Sequence, residues 1–364
     1  MKILSLGLDN SILDKNSRLA RRVVEYGNLV DKYYVIVPSK NKKEVKLSDR
    51  VKVFGVKSLN KIYGLIKIYC QAKKILKNHK FDVITVQDQY YLALIGKCLA
   101  SKFKIGLEIQ VHGFEKYHGI RRLIAKFVIP RANAVRVVSQ RLKKQLISEF
   151  GVEEEKITVI PIYTGCETHN VERETNKDKI TFLTIGRLVS VKNIEMQIKA
   201  IAEIVKYNKD IELWIVGEGN ESEKLEARSK KLGLEKYVKF FGWQDDLDKF
   251  YKQADVFLLT SNSEGWGIAV IEAAMHQLPI IMTDVGCAGE IIKDGESGIV
   301  IPVGDQEALE KAIVKLAPDS SLRKKLGQGA RQAVEKLSSE EETLKLYKES
   351  LNIVKTMMNK KDYE

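Results

Sequence analysis

Two glutamates, Glu264 and Glu272, lie eight positions apart on either side of an apolar run in the segment EGWGIAVIE. The run follows a strand-like segment, 255–261, and opens with Gly265, Trp266, Gly267 and Ile268. A strand that stops before a glycine-spaced helix start aims free backbone N–H groups at an anion. At ~1.5 Å of rise per residue the two carboxylates lie roughly 12 Å apart along the helix. This layout suits an extended ligand with a central phosphate, such as a nucleotide-sugar. An amphipathic helix with an acidic cap is the structural alternative.

A basic pair lies upstream, in the segment GRLVSVKN, which contains Gly186, Arg187 and Lys192. The segment follows a buried strand predicted at 180–185 and precedes a helical pattern. It is therefore a strand-to-helix loop, the place where doubly wound sheets bind ligands. A guanidinium and an ammonium that converge there would neutralise a diphosphate. The alternative is a pair of solvated surface cations.

Together these motifs resemble the retaining GT-B glycosyltransferases of family 4, which include mannosyl- and glucosyltransferases of lipid and polysaccharide assembly. Order and spacing match from about residue 180 to 335, whereas the match over 1–165 rests on general layout and Val111-His112-Gly113. Besides the motifs above, the matching segments are Trp214–Gly219, Val238–Trp243, Thr283–Gly286, Glu290, Asp294-Gly295, Gly298 and Pro302–Asp305.

The resemblance implies an enzyme that transfers a sugar from a UDP- or GDP-linked donor with retention of anomeric configuration. Arg187, Lys192 and the N–H groups at 265–268 would stabilise the leaving diphosphate without a metal ion. Glu264 would orient the sugar hydroxyls, and Glu272 would hold the ribose. No cofactor is expected, because the nucleotide-sugar is itself a substrate.

Four further residues are candidates for the same site. His112 follows a predicted strand, where the resemblance places it beside the transferred sugar, although a loop histidine bonded to backbone fits equally. Trp243 would form a platform or backbone contact near the base, or simply pack. Gly217 and Gly242 end two strands, where they would allow close approach of a ligand or only a tight turn.

Two features depart from this scheme. Only Gly7, followed by the bulky Leu8, remains where many family members carry a glycine-rich loop, which affects the expected acceptor binding. Asp246-Leu247-Asp248 matches the Asp-x-Asp metal motif of the GT-A fold, but it also opens a helix, where acidic residues stabilise the dipole. We therefore predict no metal site.

The 364 residues, 44% hydrophobic and 30% charged, suit two globular domains. Alternating strands and helices with continuous apolar strands predict the α/β class, in the GT-B form of two doubly wound Rossmann-like domains that face a central cleft. We predict an acceptor-side domain at 1–165, a linker at 166–179 and a nucleotide-sugar domain at 180–338. A final helix at 339–364 would cross back to the first domain.

The charge is uneven along the chain. Residues 1–165 carry 32 Lys and Arg against 14 Asp and Glu, whereas residues 166–364 carry 29 against 34. The basic half predicts an anionic partner, and a basic amphipathic stretch at 117–131 favours an anionic membrane surface. Zinc-finger cysteines and RNP-type strands are missing from the sequence, so we expect no nucleic acid partner.

Four scattered cysteines, no signal-peptide pattern and no apolar run of ~20 residues predict a cytoplasmic protein, peripheral on the inner face of the plasma membrane. The expected acceptor is a saccharide or lipid-linked saccharide of cell-surface glycan assembly. Other classes remain open: a catalytically silent GT-B-like partner subunit, or a nucleic-acid-binding protein that uses the basic half. A GT-B epimerase or a glycogen-synthase-like enzyme is a further alternative.

Overall fold

The computed structural model describes residues 1–114, 118–163 and 179–361. The chain divides into two compact units: Met1–Pro161 together with Ser338–Glu364 form unit 1, and Ile162–Leu337 form unit 2. The predicted linker at 166–179 lies outside the described residues except for Lys179.

Unit 1 is built on an eight-stranded sheet of order β3-β4-β2-β1-β5-β6-β7-β8. Its strands are β1 Lys2–Leu6, β2 Lys32–Ser39, β3 Lys43–Lys46, β4 Val51–Lys57, β5 Val83–Val86, β6 Gly106–Val111, β7 Ala134–Val137 and β8 Ile157–Val159. All pairings are parallel except that of the edge strand β3 with β4. The central strands are buried on both faces, as expected when helices cover a parallel sheet.

In the described part of unit 1, helices connect or follow these strands, and one more comes from the end of the chain. They are α1 Arg18–Asn28, α2 Lys61–Asn78, α3 Tyr91–Phe103, α4 Gly119–Val128, α5 Gln140–Phe150 and, far downstream, α12 Glu340–Lys361. Side chains cap the N-termini of several of these helices. Ser17, for example, accepts a hydrogen bond from the N–H of Ala20 at 3.1 Å, which satisfies a free donor of α1.

Helix α12 packs against β6 and β7 of unit 1. Tyr347 is fully buried there, stacks on Tyr26 at 4.0 Å between ring centroids, and shares a 2.9 Å hydrogen bond with the Tyr33 hydroxyl. Ser350 donates a 2.5 Å hydrogen bond to the buried Glu108 carboxylate on β6. The last helix of the chain therefore completes the core of unit 1.

Unit 2 contains a six-stranded, wholly parallel sheet of order β11-β10-β9-β12-β13-β14. Its strands are β9 Ile180–Ile185, β10 Ile211–Val216, β11 Val238–Phe240, β12 Val256–Leu259, β13 Ile280–Thr283 and β14 Ile299–Ile301. Its helices are α6 Ile194–Ile204, α7 Ser222–Lys231, α8 Asp248–Gln253, α9 Ile268–Met275, α10 Gln306–Leu316 and α11 Ser320–Glu335. The two sheets, parallel except for the edge strand β3, confirm the predicted α/β class of doubly wound domains.

Candidate active site

The predicted glycines of unit 2 lie side by side at the carboxyl edge of its sheet. Gly186, Gly217 and Gly242 follow the neighbouring strands β9, β10 and β11. The Gly217 N–H donates to the Gly242 carbonyl at 2.8 Å, and Gly217 has a φ of +127°. A Cβ at Gly217 would lie 2.0 Å from the Gly186 carbonyl oxygen. Only glycine therefore allows the backbones of these strand ends to meet.

The loop after β9 carries both predicted cations. Lys192 ends a short 3-10 turn, Ser190–Lys192, just before α6. Its Cε lies 3.8 Å from the Cβ position of Gly186, so the lysine chain passes over that glycine. Arg187, on the same loop, is exposed.

Lys192 and Glu264 form an ion pair, although 72 residues separate them. The ammonium lies 2.5 Å from Glu264 Oε1, and the Ser261 hydroxyl donates to the same oxygen at 2.7 Å. The Glu264 side chain is only 8% exposed and that of Lys192 20%. The structure thus brings a predicted phosphate-binding cation and a predicted sugar-binding carboxylate into direct contact.

A polar segment after β12 holds this pair in place. The Thr260 hydroxyl donates to the Lys192 and Asn193 carbonyls, at 3.2 and 3.0 Å, and Gln197 Nε2 donates to Thr260 at 2.9 Å. The Asn262 N–H donates to the Val191 carbonyl at 2.7 Å. Sequence reasoning missed these supports, although the run Thr260-Ser261-Asn262 at a strand end was the available signal.

Helix α9 begins at Ile268, four residues after Glu264, and its N-cap Gly267 adopts a φ of +96°. Trp266 was expected to meet the donor through its backbone N–H, as part of the run 265–268. Its indole is 2% exposed and packs in the core, which leaves only its backbone for a ligand. Gly265 is buried and Ile268 is 42% exposed. The first N–H groups of a helix lack partners within it, so this start can accept an anion.

Glu272, on α9, is fixed by a second network. The Tyr251 hydroxyl donates to Glu272 Oε2 at 2.9 Å, and the Tyr251 ring stacks on His276 at 4.9 Å between centroids. His276 Nδ1 lies 2.8 Å from the Glu272 carbonyl, and Nε2 lies 2.7 Å from Asp248. Tyr251 and His276 were not predicted, and nothing in their spacing indicated them.

Asp248, half of the Asp-x-Asp motif, binds protein groups on both sides. Lys252 contacts it at 2.5 Å, and the hydrogen bonds from Lys252 and then His276 lower the pKa of its carboxyl group. Among the residues that the structure describes, no group of three His, Cys, Asp or Glu side chains could hold a metal ion.

A cavity of about 760 Å³ opens at the same edge of unit 2. It is lined by Leu188, Gly217, Glu218, Gly219, Asn220, Ser222, Glu223, Glu226, Phe240 and Gly242. Trp243, which follows the lining residue Gly242, is 67% exposed, and its backbone N–H donates to the Glu218 carboxylate at 3.2 Å. The cavity is large enough for a flat heterocycle and has carboxylates that accept hydrogen bonds.

His112 lies in unit 1, directly after β6. Its pKa is lowered to about 4, first because surrounding protein disfavours the charged ring and then because Arg136 and Arg22 repel it. The residue is nonetheless exposed at this end of β6. The imidazole is neutral at neutral pH.

Two family models match the chain. The model described as glycosyl transferases group 1 matches residues 167–333, and that described as glycosyltransferase family 4 matches residues 18–162. EpsD of Bacillus subtilis is 32% identical over 296 residues, which cover 75% of this chain and 77% of that protein.

Two further relatives have more specific names. LpsE of Rhizobium meliloti, a lipopolysaccharide core biosynthesis glycosyltransferase, is 30% identical over half of this chain and 53% of its own length. An alpha-1,4-N-acetyl-D-galactosaminyltransferase of Campylobacter jejuni is 29% identical over 84% of this chain and 87% of its own. Its name gives a saccharide linked to PP-undecaprenol.

Solved structures share the fold. HepE of Anabaena, in complex with UDP and glucose, superposes with a TM-score of 0.76 at 19% identity, over 97% of this chain and 99% of that one. Sucrose-phosphate synthase of Thermosynechococcus elongatus gives 0.78 at 19% identity, over 96% and 99%.

Two doubly wound sheets, with a glycine-lined carboxyl edge in the second, define the GT-B class of glycosyltransferases. Within that class, the chain belongs to the family of glycosyl transferases group 1.

Proposed function

We propose that this protein transfers a hexosyl group from a UDP- or GDP-linked sugar to a saccharide or lipid-linked acceptor of cell-surface glycan assembly. In this proposal the anomeric configuration is retained and no metal ion takes part. The names of LpsE and the Campylobacter jejuni relative support this acceptor class. The bound UDP and glucose of HepE support the donor class.

The observation that carries the proposal is the Lys192–Glu264 pair between a glycine-lined strand edge and the start of α9. A diphosphate placed there would take the Lys192 ammonium from Glu264. Helix N–H groups would meet its other oxygens. The released Glu264 could then accept hydrogen bonds from sugar hydroxyls. Glu272 would hold the ribose, and the base would occupy the 760 Å³ cavity beside Gly217.

The proposed step is a front-face substitution at the anomeric carbon. The acceptor oxygen forms a bond to that carbon on the face from which the phosphate leaves, and the carbon–phosphate oxygen bond breaks. The acceptor proton moves to an oxygen of the departing diphosphate, so no protein base is required. Lys192, Arg187 and the α9 N–H groups stabilise the charge that develops on the diphosphate. Neutral His112 would orient the sugar by hydrogen bonding.

A panel of nucleotide-sugars tests the donor. One UDP- or GDP-sugar should raise the melting temperature of the protein, because a ligand of the native state stabilises it. The same compound should support transfer to a glycan acceptor, at a rate that EDTA leaves within about twofold, since cations of the protein replace the metal. A strict requirement for a divalent ion would revive the metal motif at Asp246 and Asp248. Binding without turnover would favour the silent partner subunit.

Tyr251, whose hydroxyl donates to Glu272, is expected to affect nucleotide binding but not the chemical step. Tyr251→Phe keeps the ring that stacks on His276 and removes only the hydroxyl that fixes Glu272 Oε2. Loss of a hydrogen bond to a charged group should weaken binding of free UDP or GDP by about 3- to 10-fold. The turnover rate at saturating donor should stay within about twofold, because the ribose lies away from the reacting bond.

Tyr237→Phe is the matched control for this variant, because Tyr237 lies in the same unit beside Lys179 and Lys209, away from Glu272. It should leave nucleotide affinity unchanged. Tyr251→Phe should add nothing in a Glu272→Ala background, since the two residues act as one unit. An undiminished affinity in Tyr251→Phe would contradict the positioning role.

A further inference from the structure

Three neighbouring helices of unit 1 carry basic side chains but no acidic ones. Helix α2 packs against α3, and α3 packs against α4. Their sequences, KIYGLIKIYCQAKKILKN, YLALIGKCLASKF and GIRRLIAKFV, contain ten Lys and Arg residues and no Asp or Glu. Surface helices usually mix both signs of charge, which stabilise each other at neighbouring turns. This face is uniformly cationic instead.

The start of α2 also exposes large apolar side chains. Ile62 and Ile66, in its first turns, are 73% and 54% exposed, and Leu59, just before the N-cap Asn60, is 76% exposed. The spacing of four residues places Ile62 and Ile66 on one side of the helix. Further along the helix, exposed lysines such as Lys74 and Lys77 take over. The exposed side of α2 is therefore apolar at its start and basic towards its end.

Helix α4 repeats this arrangement. Ile120, Leu123 and Phe127 are 64%, 69% and 48% exposed and again share one side of the helix. At 100° per residue, Arg121 and Lys126 flank this stripe on opposite sides. Contiguous apolar side chains bordered by cations are typical of helices that lie in the interface of an anionic membrane.

The same combination of apolar and basic side chains argues against nucleic acid, and against a second copy of this chain, as the partner of this face. Nucleic acid would use the cations but gains nothing from the exposed aliphatic and aromatic side chains of these two helices. A second copy that paired through this face would bring ten cations against ten, which repel each other. An anionic bilayer satisfies both the apolar and the basic groups. None of the helices within the described residues is long and apolar enough to cross a membrane.

We propose that unit 1 docks on an anionic lipid bilayer through the α2–α4 face, with the apolar stripes of α2 and α4 inserted among the lipids. Both helices begin at the carboxyl edge of the sheet, where His112 also lies. Docking would therefore hold that edge beside the membrane surface. The inference extends the proposed function, because this edge is where a lipid-linked acceptor would have to arrive.

Vesicle sedimentation with the full chain tests the docking in the absence of donor and acceptor. At low salt, binding to vesicles of phosphatidylcholine with 30% phosphatidylglycerol should be at least ~10-fold tighter than to phosphatidylcholine alone, and it should weaken as salt rises. Ile62→Ser with Ile66→Ser should reduce binding about tenfold without a change in charge, because the inserted apolar surface is lost. Arg121, Arg122 and Lys126 all replaced by Ser should also reduce it.

Matched controls come from unit 2. Tyr207→Ser with Val314→Ser removes exposed apolar side chains there, and Lys230→Gln with Lys231→Gln removes exposed charge. Both should bind vesicles like the wild type. Equal binding to neutral and anionic vesicles would overturn the proposal, as would full binding by the Ile62/Ile66 variant. Retardation of RNA by wild type but not by the Arg121/Arg122/Lys126 variant would overturn it in favour of nucleic acid. A dimer that the Ile62/Ile66 variant abolishes would overturn it in favour of a second copy.

A failure of the docking proposal can be distinguished from a failure of the proposed function. Transfer to a soluble acceptor analogue depends on unit 2 and His112, so it should persist in the Ile62/Ile66 variant. Transfer to a lipid-linked acceptor in vesicles should fall in the same variant. If the wild-type protein transfers sugar to the soluble analogue but does not bind vesicles, the docking proposal is wrong and the proposed transferase function still holds.

Discussion

Replacing Lys192 by alanine is expected to reduce turnover by ~10²-fold or more, the usual effect of removing one donor that stabilises developing charge. The Lys192 side chain passes over Gly186, with Cε 3.8 Å from the Cβ position of that glycine, so the ammonium lies at the strand edge where the diphosphate is proposed to bind. Arg187→Ala on the same loop should have a comparable effect. Initial rates at saturating donor measure both. Lys199→Ala, which removes a half-exposed lysine on α6 that pairs with Glu195, is the matched control and should be neutral.

The ion pair gives this prediction a second part. Glu264 forms an ion pair with the Lys192 ammonium, so a nucleoside diphosphate has to compete with this carboxylate for the cation. Glu264→Ala should therefore abolish transfer yet bind free UDP or GDP at least as tightly as the wild type, as measured by calorimetry. Glu272→Ala should bind the nucleotide more weakly. Wild-type turnover in Lys192→Ala, or equal loss of nucleotide affinity in both glutamate variants, would contradict the assignment.

Replacing Arg136 by methionine is expected to destabilise unit 1 by about 3–5 kcal/mol, because it leaves a buried carboxylate uncompensated. Arg136 lies 3.9 Å from Glu108 and 4.1 Å above the Tyr347 ring. Glu108 is completely buried and also accepts hydrogen bonds from Thr85 and Ser350. The cation thus joins β6, β7 and α12, and scanning calorimetry should show a lower melting temperature for unit 1.

The double variant Arg136→Met with Glu108→Gln separates charge from packing. It should recover a large part of the lost stability, because an amide costs far less to bury than an unpaired carboxylate. Lys143→Met breaks the exposed pair with Glu154 and serves as a control, with an expected cost below ~1 kcal/mol. A double variant as unstable as Arg136→Met would show that the cation acts through packing on Tyr347 alone.

The strands and their ends were predictable from the sequence because parallel strands buried on both faces appear as short apolar runs. The strand Ile180–Ile185 was predicted at the bounds that the structure gives, and its end places Gly186 at the carboxyl edge of the sheet. Strand β3, Lys43–Lys46, was missed. It has one buried residue among exposed charges and pairs antiparallel at the sheet edge, where lysines discourage pairing with other chains.

The contacts of the candidate site could not be predicted in the same way. A spacing along the chain says that Lys192 and Glu264 follow strands, but not that their side chains meet across 72 residues. Tyr251 on α8 likewise bonds Glu272 on α9 across 21 residues of sequence, which no local pattern indicates. The glycine-spaced start of α9 indicated free backbone N–H groups but not that the indole of Trp266 lies in the core, since tertiary packing and not local pattern decides which way a loop side chain turns.

The return of the chain to unit 1 has a consequence for biosynthesis. Unit 2 is inserted between residue 161 and residue 338, and Tyr347, Leu351 and Val354 of α12 belong to the core of unit 1. Domains made on the ribosome usually fold in order from the N-terminus. Here the first unit to be translated is the last to be complete, so unit 2 is expected to fold while the sheet of unit 1 still exposes the strip that α12 covers. Nascent chains that stop before residue 338 should accordingly need protection of that strip by a chaperone, and protease digestion of stalled chains would show whether unit 2 becomes resistant first.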